Sequence, residues 1–583
     1  MRDGRRATGD GRRATGDGRR ATGEPPAVLF AARSQNALHR LLDTLPVFAG
    51  DDRLRRWFTL VPGSDFSLDA LDAIERAGGR TIPWSQATAR TFALVLAAGP
   101  KGDLHALRGP QVLLPHGAGF SKSIPGEGTD DSASGLDPAH LLLPDGTLLA
   151  DLYAFAHPGQ ISRLAALSPA VAARAKVVGD PLLERFLDAD STDRRHRYRA
   201  ALRTGSRRLI VLLSTWGPES LLRRRPSLPA ELAAVLPYDE YQLALVVHPN
   251  ERVRLGGQDL EEHLEPARRA GLILPAAYEE WASVAVAADL LVSDHGSAAL
   301  YAAALDRPLL GAYDGGDELL PGSPMATLLA RVPRLGTDPA AAPRAVAEAL
   351  RGHRPGSVRP LTDTVFAQHG HGLERLREEL YALLGLEPPA LPVRPRPLPD
   401  PSPPPTPPSA FAVRVRHEAD GVIHVTRYPA HLVPSPQQPV HHLTAETDRA
   451  GTRDTQGAAL LYRRADGPIP AHGDAIVRTA DAWTRRTLEE HPGGRRTAAV
   501  AVSATHCLLR IRTGPLLSAR IEPCPVPEGL VYADPAAVLS AVYTALLAAG
   551  DGPPPDSLTC AIGDRRFAVR LSPASSDEAA LPV

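Results

Sequence analysis

The stretch Trp281–Tyr313, WASVAVAADLLVSDHGSAALYAAALDRPLLGAY, limits the fold more than any other part of the chain. Its pattern predicts a helix, a short buried strand (Asp289–Val292), a tight polar turn (Ser293-Asp294-His295-Gly296-Ser297), an alanine-rich helix and a second apolar strand (Pro308–Tyr313). A short apolar strand that passes through small polar residues into a helix belongs to a βα unit of a parallel sheet. Such a unit leaves unpaired backbone N–H groups at the sheet's carboxyl edge, where an anion can bind. Ser297 is a candidate N-cap, and Gly296 would let a phosphate approach the backbone closely. The same residues would also serve as an ordinary capped βα turn, and the stretch by itself leaves both uses open.

The alternation recurs through most of the chain. Ala27–Ala31, Trp57–Val61, Phe92–Ala97 and Gln111–Pro115 read as strands, with helices at Ser34–Leu45 and Leu68–Ala77. The last of these strands runs into Pro115-His116-Gly117-Ala118-Gly119-Phe120-Ser121-Lys122, followed by a polar, Gly-rich loop (Ser123–Gly135) suited to a flap and a short strand at Leu141–Leu143. A second series starts at Arg208. Leu209–Leu213 ends in Ser214-Thr215-Trp216-Gly217-Pro218, Leu243–Val247 ends in His248-Pro249-Asn250, and Leu272–Leu274 precedes the stretch above. Strands alternating with helices imply parallel, doubly wound sheets. The predicted fold class is therefore α/β, with two Rossmann-like domains facing a cleft, residues 26–180 and 181–386, the second binding a nucleotide.

Three further regions have a different character. Residues 1–25 hold three near-identical heptads (GRRATGD, GRRATGD, GRRATGE), whose glycines and lack of large apolar residues predict a disordered tail. R-R-A-T could be a kinase site or a polyanion contact, or the repeat could have no function. Residues 387–409 are dominated by proline and read as a stiff spacer. Residues 410–583 read as a separate α+β domain of unknown role, with strands at Phe411–Arg416, Val422–Tyr428, Ala499–Arg512 and Arg566–Leu571 and helices near Asp474–Glu489 and Pro535–Ala549. His441-His442 lack partners at metal-ligand spacing and read as surface histidines.

Charge and composition remove several function classes. A net charge of −1 gives no global electrostatic case for nucleic acid or a membrane surface. The three cysteines, Cys507, Cys524 and Cys560, are too few and too scattered for a zinc cluster, and fit a reducing compartment. No apolar run reaches the roughly 18 residues of a membrane span, and no signal peptide is visible. Localisation in the cytoplasm, with a peripheral place at the membrane left open, is the expectation.

Four strand-end segments stand in order: His116-Gly117, Thr215-Trp216-Gly217, His248-Pro249 and Ser293–Ser297. With Gly179-Asp180-Pro181, the texts HGAGFSK, GDPLLER, STWGP, HPN and SDHGS…LDRP resemble the motifs of the CDP-glycerol glycerophosphotransferase family of GT-B transferases, over about residues 26–386. The resemblance implies a nucleotide-activated donor in the cleft, its pyrophosphate at Gly296-Ser297 with Thr215, Ser293, Asp294 and His295 around it. It implies a phosphate contact from His248, a general base in His116, and charge balance from Lys122, one of three lysines against 62 arginines. The acceptor would be a hydroxyl, for instance of a cell-envelope glycan or lipid, and neither metal nor cofactor is called for. The chain departs from the family at Gly296, where a serine is usual, and at Tyr301, where an acidic residue grips the ribose. Two readings therefore stand. One is a transferase of a glycerol-phosphate, polyol-phosphate or sugar unit, with a nucleotide-sugar glycosyltransferase or 2-epimerase as its variant. The other is a degenerate module that binds a nucleotide or partner without catalysis, its strand-end histidines serving the fold.

Overall fold

The computed structural model describes residues 25–583 except 64–68, 116, 124–132, 134, 277–278, 314–315, 433–439, 466–476, 494–495, 513, 528 and 551. The N-terminal repeats, His116 and most of the polar loop after Ser123 thus lie outside the described residues. The N-terminal half is built on β1 (Ala27–Ala32), β2 (Arg55–Leu60), β3 (Arg80–Thr81), β4 (Leu94–Ala98), β5 (Gln111–Leu114), β6 (Leu152–Phe155) and β7 (Ala175–Val177). They form one parallel sheet in the order β3-β2-β1-β4-β5-β6-β7. Fully buried strands of this kind read as continuous apolar runs, and β1 and β4 are buried almost throughout. Both faces are covered, one by the cluster around Phe30, Phe48 and Phe58, the other by that around Leu29, Tyr153 and Phe155.

The second half carries β8 (Arg208–Ser214), β9 (Tyr241–Val247), β10 (Leu290–Ser293) and β11 (Leu309–Gly311), parallel in the order β11-β10-β8-β9. Ile273 adds a single parallel bridge beside β9, less than the strand expected at Leu272–Leu274. Leu141–Leu143 is likewise no strand, because Asp137 and Pro138 start a helical turn through Leu141. The final helix of this half, Gly372–Leu384, returns to the N-terminal sheet. Leu373, Leu376 and Leu380 enter the core of Val28 and Phe30, and the Tyr381 hydroxyl donates to Asp51 at 2.8 Å. The halves are therefore tied by a crossed-over helix as well as by the connection at Gly179–Pro181. The architecture is α/β and GT-B-like, with two parallel sheets about a cleft.

The proline-rich segment lies along both halves. Arg53 donates to the Glu387 carbonyl at 2.7 Å, and Arg185 to those of Arg396 and Pro397 at 2.8 and 3.0 Å. Leu398 is buried in the core of the second half, and Arg449 meets the Pro407 carbonyl at 2.6 Å. Proline carbonyls keep their acceptor capacity although the ring removes the donor, so a polyproline ribbon can be pinned by side chains alone.

Beyond it stands a closed barrel of β12 (Ala410–His417), β13 (Val422–Pro429), β14 (His442–Glu446), β15 (Leu460–Arg464), β16 (Thr497–Ser503), β17 (His506–Ile511), β18 (Leu517–Ile521), β21 (Ser557–Ile562) and β22 (Arg565–Pro573). The order is β12-β13-β21-β22-β18-β17-β16-β15-β14, with the short hairpin β19 (Cys524–Val526) and β20 (Gly529–Val531) outside it. The run expected as one strand at Ala499–Arg512 is the hairpin β16–β17, turned at Ala504-Thr505. The helix Pro535–Ala549 is capped by Asp534 and buried at every residue from Pro535 to Tyr543, as it must be when strands enclose it. Arg427, with no exposed surface, donates to Asp239 of the second half at 2.8 and 2.5 Å and to Asp534 at 2.7 Å, joining barrel to cleft domain. His442, expected at the surface, is 7% exposed with its ring 4.7 Å from that of Tyr543. Among the described residues no helix is long and apolar enough to cross a membrane.

Candidate functional site

A cleft of about 790 Å³ opens where the carboxyl ends of the two sheets face one another. In the second half the strand order reverses between β8 and β10, since β9 lies to one side of β8 and β10 to the other. Ligands of open α/β sheets bind in the crevice at such a reversal. Asp294 braces it. One carboxylate oxygen accepts from the Thr215 and Leu221 N–H groups at 2.7 and 2.8 Å, the other from the Gly296 N–H at 2.9 Å. Burial raises its pKa, opposed by His295 and these three donors. Asp294 is thus a framework group that sets the loops after β8 and β10 against each other.

The neighbouring residues divide into framework and lining. His295 is 1% exposed, with Nε2 3.1 Å from Glu318 and Nδ1 3.4 Å from the Tyr313 hydroxyl. Ser293 is buried, its hydroxyl without a hydrogen-bond partner among the described residues. Gly296 is closely packed: a Cβ there would stand 3.0 Å from Thr215 Cβ and 3.1 Å from Asp294 Oδ1, so a side chain needs these neighbours to give by a few tenths of an ångström. Ser297 lines the cleft but does not cap with its side chain. It is itself helical (φ −61°, ψ −15°), and the helix Ala298–Ala304 starts on backbone bonds to the Gly296 and Ser297 carbonyls. Thr215 and Ser297 are the hydroxyls that this turn and its neighbour bring to the cleft wall.

His248 follows β9 directly and starts the helix Pro249–Leu255. Its Nδ1 accepts from the Asn250 N–H at 3.1 Å, an N-cap role that sequence reasoning did not assign. An accepting Nδ1 leaves the neutral ring's proton on Nε2. That nitrogen faces across the cleft, 3.0 Å from the Asn36 side-chain Nδ2 on the opposite half; two donors cannot bond, so with the proton on Nε2 the Asn36 amide is turned over and its oxygen accepts. Lys122 also crosses the cleft. Its ammonium lies 3.9 Å from the Trp216 ring centroid, donates to the Trp216 carbonyl at 3.2 Å and pairs with Glu318 at 3.5 Å. Burial lowers its pKa against the pull of Glu318. The chain around it forms a clasp. Ser123 N–H donates to the Glu318 carbonyl at 3.1 Å, Leu320 N–H to that of Ser121 at 3.0 Å, and Leu320 enters the N-terminal core. Lys122 is therefore already neutralised, and serves the junction of the halves. His116 lies outside the described residues. Its neighbours Pro115 and Gly117 line the cleft, and a Cβ on Gly117 would sit 3.5 Å from Ser297 Oγ.

The cleft floor was not foreseen. Arg40, Asp180 and Tyr301, all less than 5% exposed, form a triad. The Arg40 fork meets both Asp180 oxygens at 2.8 and 3.0 Å, and the Tyr301 hydroxyl lies 2.9 Å from Arg40 and 3.0 Å from Asp180. Burial pushes the Tyr301 phenol far above its ordinary pKa. Tyr301 thus serves the joint between halves at the position where the resembled family carries an acid. The signal in the sequence was Asp180-Pro181, a helix start whose cap could also hold a cation.

Beside this triad His39 lies 3.5 Å from Glu279, and burial pulls its pKa down to about 4; His442 in the barrel is lowered to about 4 for the same reason. Each binds its proton more weakly folded than unfolded. The stability they confer is therefore complete above pH 6.5 and is lost as pH falls from there toward 4, on the order of 3 kcal/mol for each histidine. Urea unfolding from pH 7 to 4.5 should show this fall, and His39→Gln with His442→Phe should flatten it. An unchanged slope in the double variant would refute the assignment.

No protein-family model matches the chain, and no curated protein matches it by sequence. Solved structures are similar over part of the chain. The chain is similar to the H548A form of the wall teichoic acid polymerase TagF, at 12% identity and a TM-score of 0.44, over 62% of this chain and 90% of that one. It is similar to S. aureus MnaA solved with UDP, at 12% identity and 0.39, over 64% and 100%. It is also similar to the UDP-GlcNAc 2-epimerase of Neisseria meningitidis, at 13% identity and 0.38, over 61% and 100%.

Proposed function

We propose that the protein is a transferase that moves a glycerol-phosphate, polyol-phosphate or sugar unit from a nucleotide-activated donor to an acceptor hydroxyl. The reading rests on one observation: Thr215, His248 and Ser297, from three strand ends of one sheet, line a single cleft with Pro115 and Gly117–Lys122 of the other. The donor's pyrophosphate would take hydrogen bonds from the Thr215 and Ser297 hydroxyls and from His248 Nε2–H. For a glycerol-phosphate donor, the acceptor oxygen attacks the distal phosphorus, its proton passes to His116, and the bond to the nucleoside monophosphate breaks. His248 then stabilises the negative charge that develops on the leaving phosphate.

A thermal-shift series with CDP-, UDP-, GDP- and ADP-linked ligands tests the reading. A bound nucleotide should stabilise the protein by about 2.7 kcal/mol at 100 times its dissociation constant, and transfer or slow hydrolysis of the same compound should follow. No stabilisation by any of the four would count against it. A second reading, a nucleotide-binding module without transfer, is favoured by the engagement of His248 with Asn36 and of Lys122 with Glu318. Nucleotide binding with no turnover of any acceptor or water would select it.

A further inference from the structure

The N-terminal sheet has a reversal of its own. From β1 the chain adds β2 and β3 on one side, then β4 returns to the other, so the crevice between the carboxyl ends of β1 and β4 is the counterpart of the one braced by Asp294. Arg33 is the first residue after β1 and lines the cleft at this crevice, together with Gly99 and Lys101 from the end of β4. Its side chain runs between two turns whose glycines have positive φ. A Cβ on Gly63 (φ +76°) would lie 3.7 Å from Arg33 Nη2, and one on Gly102 (φ +96°) 3.1 Å from Arg33 Cδ. Its Nε is buried without a hydrogen-bond partner, and among the described residues the guanidinium has no ion pair. The other arginines at the cleft are engaged: Arg40 by Asp180, Arg185 by Asp43, Arg223 and Arg254 by Glu251, and Arg252 by the Val247 and Pro275 carbonyls.

We infer that Arg33 and the β1–β4 crevice form a second anion subsite, which takes a phosphate or carboxylate borne by the acceptor. A half-buried guanidinium with unused donors at a ligand crevice is incomplete, and two oxygens of one phosphate or carboxylate complete it. The two reversals face each other across one cleft, so donor and acceptor would each have its own. The acceptor role rests on the transferase reading; the anion site itself does not.

The test uses the full chain, titrated calorimetrically with sn-glycerol 3-phosphate, glycerol and inorganic phosphate. The two phosphate compounds should bind and glycerol should not. Arg33→Gln should weaken both by about 10- to 100-fold, the range for a hydrogen bond to a charged group. Arg33→Lys should fall between, keeping charge without the fork. Since Arg33 holds no partner among the described residues that its loss would strand, the melting temperature should not move. Nucleotide binding, carried by the other crevice, should be the same in Arg33→Gln as in the parent. Phosphate binding unchanged in Arg33→Gln, or equal binding of glycerol and its phosphate, overturns the subsite. Arg33-dependent phosphate binding in a protein that binds no nucleotide sustains it while removing the transferase reading.

Discussion

Asp180→Ala should unfold at a markedly lower urea concentration than the parent, with a loss of about 3–5 kcal/mol. The carboxylate holds both arms of a buried arginine, the Tyr301 hydroxyl, and the Leu182 and Leu183 N–H groups at the start of a helix. Removing it strands the Arg40 charge where water cannot reach it. That single consequence exceeds the loss of the cap, itself worth about 1 kcal/mol. Adding Arg40→Met should restore much of the stability, because an apolar side chain in that space carries no unpaired charge. A double variant no more stable than Asp180→Ala would show that the cap and the packing, not the stranded cation, set the cost.

The second large effect concerns turnover. His116→Ala should lower kcat by about 10² to 10⁴ with nucleotide affinity preserved, as expected for loss of a general base. At His248 the informative change is to asparagine. Asparagine keeps a side-chain cap for the helix Pro249–Leu255 but has no group in the place of Nε2. His248→Asn should therefore fold normally, bind donor more weakly and react more slowly. If both variants kept parental kinetics and differed only in melting temperature, the histidines would be structural, and the transferase reading would fall with them.

What the sequence shows of this protein, and what it hides, follows from the range of each interaction. Strand ends were legible because an apolar run that stops just before Thr215, at His248 or at Ser293 is a local pattern. The second use of a side chain was not. His295 and Lys122 read as ligands for phosphate, yet both turn to Glu318, which no spacing rule connects to either. Asp294 was placed correctly in its turn, but its two N–H donors from Thr215 and Leu221 come from a neighbouring strand end. The proline run was legible as stiff but not as bound, since its partners Arg185 and Arg53 are more than 200 and 300 residues away along the chain. The β16–β17 hairpin escaped notice because its turn, Ala504-Thr505, contains neither glycine nor proline.

The enclosed helix of the barrel also dictates an order of assembly. The two sheets of residues 26–386 draw nearly all of their cores from within that stretch, Leu398 and Leu432 being later additions, so they can begin to fold as they are synthesised. β12 to β18 cannot, because the surface they wrap, Pro535–Ala549, comes after all of them, and β21 and β22, which complete the wall, later still. Seven strands with exposed edges must wait for the last portion of the chain. The wait is long in sequence and therefore slow in time. During synthesis this domain is therefore the stretch of the chain whose strand edges stay unpaired longest.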